Sequence, residues 1–367
     1  MRDKNDSTEV DVVVIGGGIV ALWSVYHILK KYPNLSVVVF EQEKFFGEHT
    51  TGRNSEVLHS GIYYPSNSMK HIHCLRGNEM WRDYIKQTKM PFLDCGKIIV
   101  ATSGQEDALD ALYGRAIENK VSGIRKLSKY EISQYQKNVD MTMGFFVPSA
   151  GVLDVPAGIS QLKNDIERMG GIMLSQSKVE LSSYSSGKFI LEVNGQEITT
   201  TNLVNSGGLF AVNFRKTLGL HGYENYYVKG NYLVLKKSLD IDKLIYPIPP
   251  SDGLGLGVHL TLDIAGGQKF GPDTEITEEL NYTVKKETLE KMYPSILKIF
   301  KNIEKNDLNL GYAGIRPKVK KDGLLVSDFV FNTEKLHGIK GYFEFLGIES
   351  PGLTSAPSLG LMLSELL

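Results

Sequence analysis

The sequence is short of cysteine, of net charge and of long apolar runs. Its 367 residues include only two cysteines, Cys74 and Cys95, which are too few for a disulfide framework or a cysteine metal site. The formal net charge is -1, so charge gives no reason to expect nucleic acid as the partner. No apolar run is long enough to span a bilayer. We therefore expect a cytoplasmic protein, with peripheral membrane contact as an open alternative.

Other familiar site patterns are missing as well. His71 and His73 lie two residues apart, just before Cys74, and on a helix such side chains do not converge on one face, so no metal site is expected. The sequence contains neither a nucleophile-elbow motif nor a P-loop. The residues from Met1 to Glu9 are polar and charged, which is typical of a short frayed leader and not of a signal peptide.

The chain opens with the pattern of a strand, a glycine turn, a helix and a second strand. Residues 12–15 form a β-branched apolar run, as expected for a parallel strand covered on both faces. After the three glycines at 16–18, apolar residues keep helical spacing until Pro33 stops the helix. A second β-rich run over 35–40 ends at Glu41. This arrangement is typical of a dinucleotide-binding βαβ unit. The alternative is an ordinary α/β turn whose glycines serve only close packing.

Each residue type in this unit suits contact with a dinucleotide. Gly16 permits the tight turn, and Gly18 leaves room for a pyrophosphate beside the backbone. The helix start offers N–H groups and the positive end of the helix dipole to that anion. The carboxylate of Glu41 can accept hydrogen bonds from ribose hydroxyls. The contacts predicted from this unit are Gly16, Gly18, Ile19, Val20, Glu41 and Gln42.

A polar loop follows the second strand. It is dense in hydroxyls and amides and contains Arg53. Folds of this kind bind ligands at the carboxyl ends of their parallel strands, so we favour cofactor contact over the alternative of a solvated surface loop. The contacts predicted here are Thr51, Arg53, Asn54, Ser55, His59, Ser60 and Gly61.

Later parts of the chain alternate between helical and strand patterns. Apolar periodicity predicts helices over 69–86, 105–119, 126–135, 156–169, 287–303 and 356–366. The same criterion predicts strands over 96–102, 172–181, 188–193, 197–204, 255–262 and 323–331.

Two of these strands lead into further glycine turns. The run 197–204 continues into Ser206 and Gly207, and a last strand enters a turn between Gly347 and Gly352. The helix after this last turn would stabilise a second negative charge at its N-terminus, which suits a reduced flavin better than a nicotinamide. We expect cofactor contacts from Val179, Ser206, Gly207, Gly347, Ser350, Pro351, Gly352, Leu353 and Thr354.

Six motifs spread over nearly the whole chain occur together in one known family. They are the glycine turn 16–18 with Glu41, TGRNS at 51–55, HSGIYYP at 59–65, CGK at 95–97, AGIRP at 313–317 and GIESPGLT at 347–354. In these motifs the chain resembles the FAD-dependent oxidoreductases of the D-amino-acid oxidase class, and within it the L-2-hydroxyglutarate dehydrogenase/oxidase branch. The resemblance implies an FAD cofactor and oxidation of a small substrate that bears a carboxylate.

The predicted fold is α/β, with a Rossmann-like FAD-binding domain interleaved with a mixed α+β substrate domain whose sheet is rich in antiparallel strands. The α/β pattern occurs in three blocks with mixed insertions between them, which indicates several crossings and no single linker. We place the FAD-binding domain at 1–85, 150–218 and 308–367. The substrate-binding domain is then 86–149 and 219–307.

The resemblance makes L-2-hydroxyglutarate the best substrate guess, oxidised to 2-oxoglutarate by hydride transfer to flavin N5. Such a site must anchor a carboxylate and supply a base. Arg316 is the predicted anchor, because arginine binds carboxylates bidentately and the arginine of this motif does so in the class that the chain resembles. We expect Arg316 to contact the cofactor as well. The alternative is a structural ion pair.

His59 and His259 are the candidate bases, since histidine titrates near neutral pH. We favour His259 as the one nearer the substrate hydroxyl, while His59 could instead pack against the flavin ring. For each of them the alternative is a structural histidine with satisfied hydrogen bonds. Tyr64 and Lys229 could line the pocket; their alternatives are a core tyrosine and a solvated strand-edge lysine.

Glu56 departs from the family pattern, which usually has a small residue, often glycine, at this position. An extra carboxylate near the flavin could repel an acidic substrate or favour an amino group. It could also simply face solvent or pair with a nearby arginine such as Arg53. The segment 269–273 also differs from the family. The charged stretch 318–322 is predicted to be a solvated turn.

Two other functions stay as alternatives. One is an amine or amino-acid oxidase of the glycine/sarcosine oxidase type, for which Glu56 is the motive. The other is an FAD-binding protein without turnover; a nicotinamide dehydrogenase is a weaker option. The electron acceptor could be oxygen, a quinone or an electron carrier, and we expect non-covalent FAD.

Overall fold

The computed structural model describes residues 8–135, 141–250 and 255–367. Most of the predicted leader therefore lies outside the described residues, although Thr8 and Glu9 already belong to the first strand. The chain divides into two compact units. The first contains the chain up to Gly52 together with Pro156–Tyr226 and Arg316–Leu367. The second contains Arg53–Val155 and Tyr227–Ile315. Three segments predicted to belong to the FAD-binding domain therefore lie in the second unit, 53–85, 150–155 and 308–315, and the segment 219–226, predicted to belong to the substrate domain, lies in the first.

In both units of the described chain, some strands alternate with helices and others follow one another directly. In chain order they are β1 Thr8–Ile15, β2 Val37–Phe40, β3 Val57–Leu58, β4 Phe92–Leu93, β5 Lys97–Ala101, β6 Arg125–Ser128, β7 Met143–Val147, β8 Gly151–Leu153, β9 Ile172–Leu174, β10 Val179–Ser185, β11 Lys188–Val193, β12 Gln196–Asn205, β13 Tyr223–Leu235, β14 Leu244–Pro247, β15 His259–Leu262, β16 Gln268–Gly271, β17 Glu275–Thr277, β18 Leu308–Lys321, β19 Leu324–Leu325, β20 Val330–Asn332 and β21 Tyr342–Leu346.

The helices include two long ones in the first unit that pack closely on each other. In chain order the helices are α1 Ile19–Lys31, α2 Met69–Thr88, α3 Glu106–Glu118, α4 Lys129–Tyr135, α5 Val155–Arg168, α6 Ala211–Thr217, α7 Glu287–Leu297, α8 Glu334–His337 and α9 Gly352–Ser364. At Gly360 of α9, an added Cβ would come within 2.6 Å of the backbone carbon of Trp23 in α1. The close approach of α1 and α9 therefore requires glycine at this position.

The first unit is built on a sheet with the order β10-β11-β12-β1-β2-β9. β1 is parallel to both β2 and β12, and its core residues Val12, Val13 and Val14 are buried, as the β-branched run predicts. On the side of β12 that faces away from β1, two strands pair with it. The first half of β12 pairs antiparallel with β11, and its end pairs in parallel with β21. The strands β1 and β21 therefore end at the same edge of the sheet, and α1 and α9 follow them.

The second unit contains a larger, mostly antiparallel sheet with the order β13-β16-β15-β14-β5-β7-β6. The neighbours β14 and β5 are its parallel pair, whereas β15 pairs antiparallel with both β14 and β16. Every residue of β5 is buried, and apolar clusters that include Ile98 and Ile99 pack against it. A small sheet, β3-β8-β4, also belongs to this unit. The fold class predicted from the sequence is confirmed.

Two helices begin at a different residue from the predicted one because of local hydrogen bonds. The segment 126–135 is strand β6 followed by α4, because Ser128 and Glu131 exchange side-chain and backbone hydrogen bonds as a capping box. The last helix begins at Gly352, where Ser355 N donates to Pro351 O at 2.9 Å, four residues before the predicted start.

Four other segments are shorter or divided. The run 172–181 is two strands, interrupted at Gln176 by a left-handed backbone (φ 52°). The strand predicted over 255–262 begins at His259, and the helix predicted over 287–303 ends at Leu297. The run 323–331 contains only the short strands β19 and β20.

The charged stretch 318–322 is not a solvated turn. β18 continues to Lys321, and the hairpin turns at Asp322 and Gly323, both with positive φ (51° and 81°), as is typical of an Asp-Gly hairpin turn. Lys318 is thereby placed inside the strand, where it is buried.

Candidate functional site

A cavity of about 540 Å³ lies in the first unit at the carboxyl ends of the parallel strands. It is lined by the glycine turn after β1, by the end of β2 and by the turn after β12. This is where ligands bind in open α/β sheets, and the volume lies within the usual range for a cofactor pocket. The predicted cofactor residues that line it are Gly16, Gly18, Glu41, Gln42, Thr51, Val179, Ser206 and Gly207.

The glycine turn after β1 is required by close backbone packing as well as by space for a ligand. Gly16 has φ 93°, and a Cβ there would lie 2.6 Å from the carbonyl oxygen of Ser206. At Gly18 an added Cβ would have only the Thr51 hydroxyl nearby, at 3.2 Å. The wall of the cavity at Gly18 is therefore bare backbone, which suits the close approach of a pyrophosphate.

The Glu41 carboxylate is fixed at the cavity wall by backbone donors. Its Oε2 accepts the N–H of Gly17 at 2.6 Å, and its Oε1 accepts the N–H of Glu43 at 2.8 Å. A carboxylate offers about four acceptor positions, so each oxygen keeps a lone pair for a ribose hydroxyl. The geometry thus fits the role that the sequence predicts for Glu41.

The N-terminus of α1 is partly occupied by the chain itself. Ile19 N donates to the Thr51 hydroxyl at 3.1 Å, so Ile19 does not offer the free N–H group that the sequence analysis expects. The N–H groups of Val20 and Ala21 belong to the first turn and have no intrahelical acceptor. These two groups and the helix dipole are what α1 offers to an anion.

Sequence reasoning missed an apolar part of the cavity lining. Apolar side chains of β10 and α6 form it, together with the segment that joins β12 to α6. Apolar side chains can pack against an aromatic ring system such as adenine. The signal in the sequence was only the glycine run after β12, because α6 approaches the cavity through tertiary packing. The unpredicted lining residues include Ser177, Leu181, Gly208, Leu209, Phe210, Asn213, Phe214 and Thr217.

The closing segment of the first unit is held by a buried ion pair. Lys318 Nζ lies 2.6 Å from Glu349 Oε1, and both side chains are less than a tenth exposed. Glu349 lies between Gly347, whose φ is 67°, and the start of α9. The predicted cofactor residues Gly347, Ser350, Pro351, Gly352, Leu353 and Thr354 form the β21–α9 connection and the first turn of α9.

Arg316 lies in β18. It is half-buried, and its Nη1 is fully buried without a hydrogen-bond partner in the described part of the chain. Burying a guanidinium N–H group without a hydrogen-bond acceptor costs free energy. A bound ligand with an acceptor at this position would remove that cost. The structural ion pair that was the alternative for Arg316 does not occur among the described residues.

In the second unit, the polar loop after Gly52 packs against β13 and β18. The Arg53 guanidinium lies 4.2 Å from the centre of the Tyr282 ring, and Tyr312 donates to the carbonyl oxygen of Asn54 at 2.5 Å. The hydroxyls of Ser55 and Tyr232 are 3.0 Å apart. At Gly314 any Cβ would collide with the carbonyl oxygen of Arg53, which explains the glycine of the AGIRP motif.

Glu56 pairs with Lys269 and not with Arg53 as the sequence analysis suggested. Glu56 Oε2 lies 3.4 Å from Lys269 Nζ, with the lysine side chain 10% and the glutamate side chain 25% exposed. Glu56 also has φ 61°, a left-handed conformation that glycine adopts at no steric cost. This conformation gives a physical reason for the glycine that is usual at this position in the family.

The two candidate bases both lie in the second unit and are both buried. His259 Nδ1 is 2.7 Å from the carbonyl oxygen of Gly257, which can only accept, so the proton of the neutral ring is on Nδ1 and Nε2 is the basic nitrogen. Burial, with Lys97 and His259 nearby, holds the pKa of His59 well below its usual range. The low pKa favours the neutral ring of His59, and in the neutral ring of His259 the nitrogen that can accept a proton is Nε2.

Ser60 and Gly61 follow His59 in the loop, and both are buried. The Ser60 hydroxyl has no hydrogen-bond partner in the described part of the second unit. Gly61 has φ 81°, and its carbonyl oxygen accepts from Asn119 Nδ2 at 2.8 Å. Asn119 therefore helps to fix the loop that carries His59.

Lys229 and Tyr64 are both buried. Lys229 Nζ donates to the carbonyl oxygen of Thr283 at 2.6 Å, so it is not the solvated strand-edge lysine that was the alternative. Tyr64 packs edge-on against Tyr63 at 6.4 Å between ring centres. Both residues stay predictions as substrate contacts.

Lys97 is a site candidate that sequence reasoning did not select. It begins β5, its side chain is 0% exposed, and its Nζ has no hydrogen-bond partner among the residues that the structure describes. Burial lowers the pKa of Lys97 to about 7. Its only sequence signal was the CGK motif.

The described residues contain neither a metal-binding cluster nor a membrane-spanning helix. No group of histidine, cysteine, aspartate or glutamate side chains over 8–135, 141–250 and 255–367 is arranged to hold a metal ion. In the same ranges we find no helix with the length and apolarity needed to cross a membrane.

Known proteins that resemble the chain agree on its family. The profile of the family "FAD dependent oxidoreductase" matches residues 11–366. The mitochondrial L-2-hydroxyglutarate dehydrogenase of Arabidopsis thaliana is 33% identical, over 95% of this chain and 81% of the relative. The L-2-hydroxyglutarate dehydrogenase of Escherichia coli K12 is 30% identical, over 95% of this chain and 91% of the relative.

Solved structures share the fold. L-α-glycerophosphate oxidase of Mycoplasma pneumoniae, reduced with dithionite and with FAD bound, superposes with a TM-score of 0.90 at 21% identity, over 98% of this chain and 94% of that one. Glycine oxidase of Geobacillus kaustophilus gives a TM-score of 0.80 at 17% identity, over 98% and 95% of the two chains. The cavity residues fit FAD: Glu41 suits the ribose, the bare glycine turn suits the pyrophosphate, and the buried hydroxyl of Ser206 has no partner in the described chain. The chain therefore belongs to the FAD-dependent oxidoreductase family, with FAD as its cofactor.

Proposed function

We propose that the protein oxidises L-2-hydroxyglutarate to 2-oxoglutarate. The observation that carries this proposal is the identity of 30% and 33%, over 95% of this chain, to relatives named L-2-hydroxyglutarate dehydrogenase. When bound, FAD would supply a two-electron acceptor for the hydride from C2 of the substrate, at flavin N5. The chain's own residues would then have to bind the carboxylate, hold the substrate and take up the hydroxyl proton.

Arg316 is the residue that we propose for the carboxylate. Its planar guanidinium can form two parallel hydrogen bonds to a carboxylate, and it stays charged when buried. The buried Nη1 without a partner in the described chain supports this role, since binding a carboxylate there would satisfy that donor.

For the hydroxyl proton we propose His259, with His59 as the second candidate. The hydrogen bond from His259 Nδ1 to Gly257 O fixes the tautomer and presents Nε2 as the proton acceptor. The low pKa of His59 favours the neutral form of that ring. A neutral imidazole is the state that a general base requires at the start of the reaction.

The alternative of an amine or amino-acid oxidase rested on a free carboxylate at Glu56. Its ion pair with Lys269 supports the hydroxy acid, because the lysine compensates the negative charge that would repel a dicarboxylate. Amine substrates are tested beside the hydroxy acid in the same experiment.

The decisive experiment is anaerobic reduction of the purified flavoprotein. We expect millimolar L-2-hydroxyglutarate to bleach the flavin absorbance, with D-2-hydroxyglutarate as the stereochemical control. Glycine and sarcosine test the amine-oxidase alternative in the same cuvette format. Bleaching by an amine and not by the hydroxy acid would reverse the proposal, and a flavin that no compound reduces would favour a protein without turnover. Reoxidation by oxygen or by a soluble quinone then identifies the class of electron acceptor.

A further inference from the structure

The loop that carries His59 leaves a small sheet of the second unit at this residue. β3 and β8 pair antiparallel up to Leu58 and Gly151, and the strand pairing ends there. His59 is the next residue after β3, and it is buried. A buried carbonyl oxygen without a hydrogen bond costs free energy. The backbone at the end of this pairing therefore needs donors from another element.

Asn78 supplies these donors. It lies in α2, and it is only 6% exposed. Its side-chain Nδ2 donates to the carbonyl oxygen of His59 at 2.7 Å and to the carbonyl oxygen of Ser149 at 2.9 Å. His59 follows β3 and Ser149 precedes β8. One amide group therefore joins the two backbone segments at the point where the strands stop pairing.

Arg82 fixes the orientation of the Asn78 amide. The two residues are four apart on α2, so their side chains lie on the same side of the helix. Arg82 Nε donates to Asn78 Oδ1 at 3.1 Å. Because a guanidinium can only donate, the amide oxygen of Asn78 faces Arg82, and its NH₂ group faces the two carbonyl oxygens. Two hydrogen bonds to the Asp94 carboxylate, of 2.9 and 3.1 Å, hold the guanidinium in turn.

A second buried asparagine holds the other end of the same loop. Asn119 is 0% exposed, and its Nδ2 donates to the carbonyl oxygens of Gly61 and Tyr64 at 2.8 and 2.9 Å. Both ends of the loop from His59 to Tyr64 are therefore held through their carbonyl oxygens. Asn78 is the asparagine that bonds to His59 itself.

We propose that Asn78 is a positioning residue that holds His59 where its imidazole accepts the hydroxyl proton of the substrate. A hydrogen bond to the carbonyl oxygen fixes the backbone from which the side chain extends, so a change at Asn78 displaces the imidazole. A general base must lie within hydrogen-bond distance of the proton that it takes up, and a displacement of about 1 Å can cost roughly a hundredfold in rate. The inference rests on the proposed function only in taking His59 as part of the site.

The first test is a double-mutant cycle between Asn78 and His59. Asn78→Asp keeps the shape of the side chain but turns a second oxygen toward the two carbonyl oxygens. We expect it to lower kcat about 10-fold to 100-fold, with KM for L-2-hydroxyglutarate within about threefold of the wild type. His59→Gln should also lower kcat. Adding Asn78→Asp to His59→Gln should then lower kcat by less than about twofold more, because the effect of Asn78 passes through His59.

Two results of this cycle overturn the proposal. One is a pair of losses in kcat that multiply in the double variant, which is the result expected if Asn78 only stabilises the fold. The other is a wild-type kcat in His59→Gln, because Asn78 then has no base to position.

Arg82→Met is the milder variant, in case Asn78→Asp gives no folded protein. It keeps the length of the side chain and removes the donor that orients the Asn78 amide. We expect kcat to fall about threefold to tenfold, and only while His59 is present. Arg125→Met is the matched control, because it removes an arginine that pairs with Glu131 on the surface of the same unit. Its kcat should stay within about twofold of the wild type, and an equal fall in both arginine variants contradicts the proposal.

The second test does not depend on turnover. Histidine labelled with ¹³C at Cε1 gives one NMR signal per ring, and His59→Gln assigns the signal of His59. In Asn78→Asp and in Arg82→Met this signal should shift or broaden, whereas in Arg125→Met it should stay in place. A His59 signal at the wild-type position in both Asn78→Asp and Arg82→Met overturns the proposal.

The proposed substrate and the proposed role of Asn78 fail separately in these experiments. If L-2-hydroxyglutarate does not reduce the flavin, the proposed substrate is wrong. The NMR signal of His59 still decides whether Asn78 positions this ring.

Discussion

Arg316 offers the clearest test of a single side chain. We expect Arg316→Ala to raise KM for the substrate by about 30-fold to 1,000-fold, because loss of a bidentate charged hydrogen bond costs roughly 2–4 kcal/mol. Arg316→Lys should recover only part of this loss, since an ammonium cannot form the planar pair. Steady-state kinetics give KM, and the visible spectrum gives the FAD content of each variant.

Lys320→Ala is the control for Arg316. It removes a cation from the same strand, where Lys320 lies over the Tyr226 ring, and we expect KM to stay within about twofold of the wild type, as for most partly exposed substitutions. An unchanged KM in Arg316→Ala with full FAD content would remove Arg316 from the substrate site.

At the residue scale, the sequence was informative where backbone geometry restricts the side chain. Gly16, Gly18 and Glu41 could be chosen because a phosphate-binding turn needs glycine and a ribose needs an acceptor. The sequence could not identify Lys97 as a site residue or Lys269 as the partner of Glu56. Both depend on which strands are neighbours, and Glu56 meets Lys269 across more than 200 positions of the chain.

The close contact between helices α1 and α9 can be tested by adding one methyl group at the contact. Gly360→Ala should lower the free energy of unfolding by about 1–3 kcal/mol, because the new Cβ would overlap the backbone of Trp23 and force the helices apart. Urea denaturation of the purified variant measures this change.

Gly114→Ala is the matched control for Gly360→Ala. Gly114 lies within α3, and a Cβ there would meet nothing within 4 Å. The same substitution should therefore stabilise the protein by about 0.5–1 kcal/mol through helix propensity alone. Equal effects of the two substitutions would contradict the close contact between α1 and α9.

At the element scale, long periodic segments were predictable and short ones were not. The bounds of α2, α3 and α5 agree with the predicted helices to within about two residues. The errors occurred where a local signal was not used, such as the capping box at Ser128 and the Asp322-Gly323 hairpin turn. Those signals were in the sequence, and the second of them explains why Lys318 is buried in a strand.

The stability of the whole molecule should depend on the buried charge of Lys97. The unfolded chain keeps the lysine proton up to pH 10.5, whereas the folded state loses it at about 7. Between these values the unfolded state binds more protons, so the stability of the wild type rises with pH through this interval. Below pH 7 Lys97 is protonated in both states, so the folded protein bears the full free-energy cost of the buried ammonium.

Lys97→Met removes this cost. We expect the variant to exceed the wild type in stability by a few kcal/mol at pH 6 to 7, on the basis of about 1.4 kcal/mol per unit of pKa displacement. The difference should shrink as the pH approaches 10. Thermal unfolding of both proteins at pH 6, 7, 8.5 and 10 measures it, and a difference that is constant with pH would contradict a buried ammonium.

At the scale of the whole molecule, the sequence alone determined the fold class, the FAD cofactor and the glycine turn with Glu41, because these depend on local backbone geometry and on motifs that are contiguous in the chain. The tertiary structure decided which residues meet. The order of β5, β14 and β15 brings Lys97 together with Tyr246 and His259, which lie about 150 positions later in the chain, and the path of β18 buries Lys318 against Glu349. Charge and protonation follow from burial and neighbours, and neither is fixed until the strands have paired.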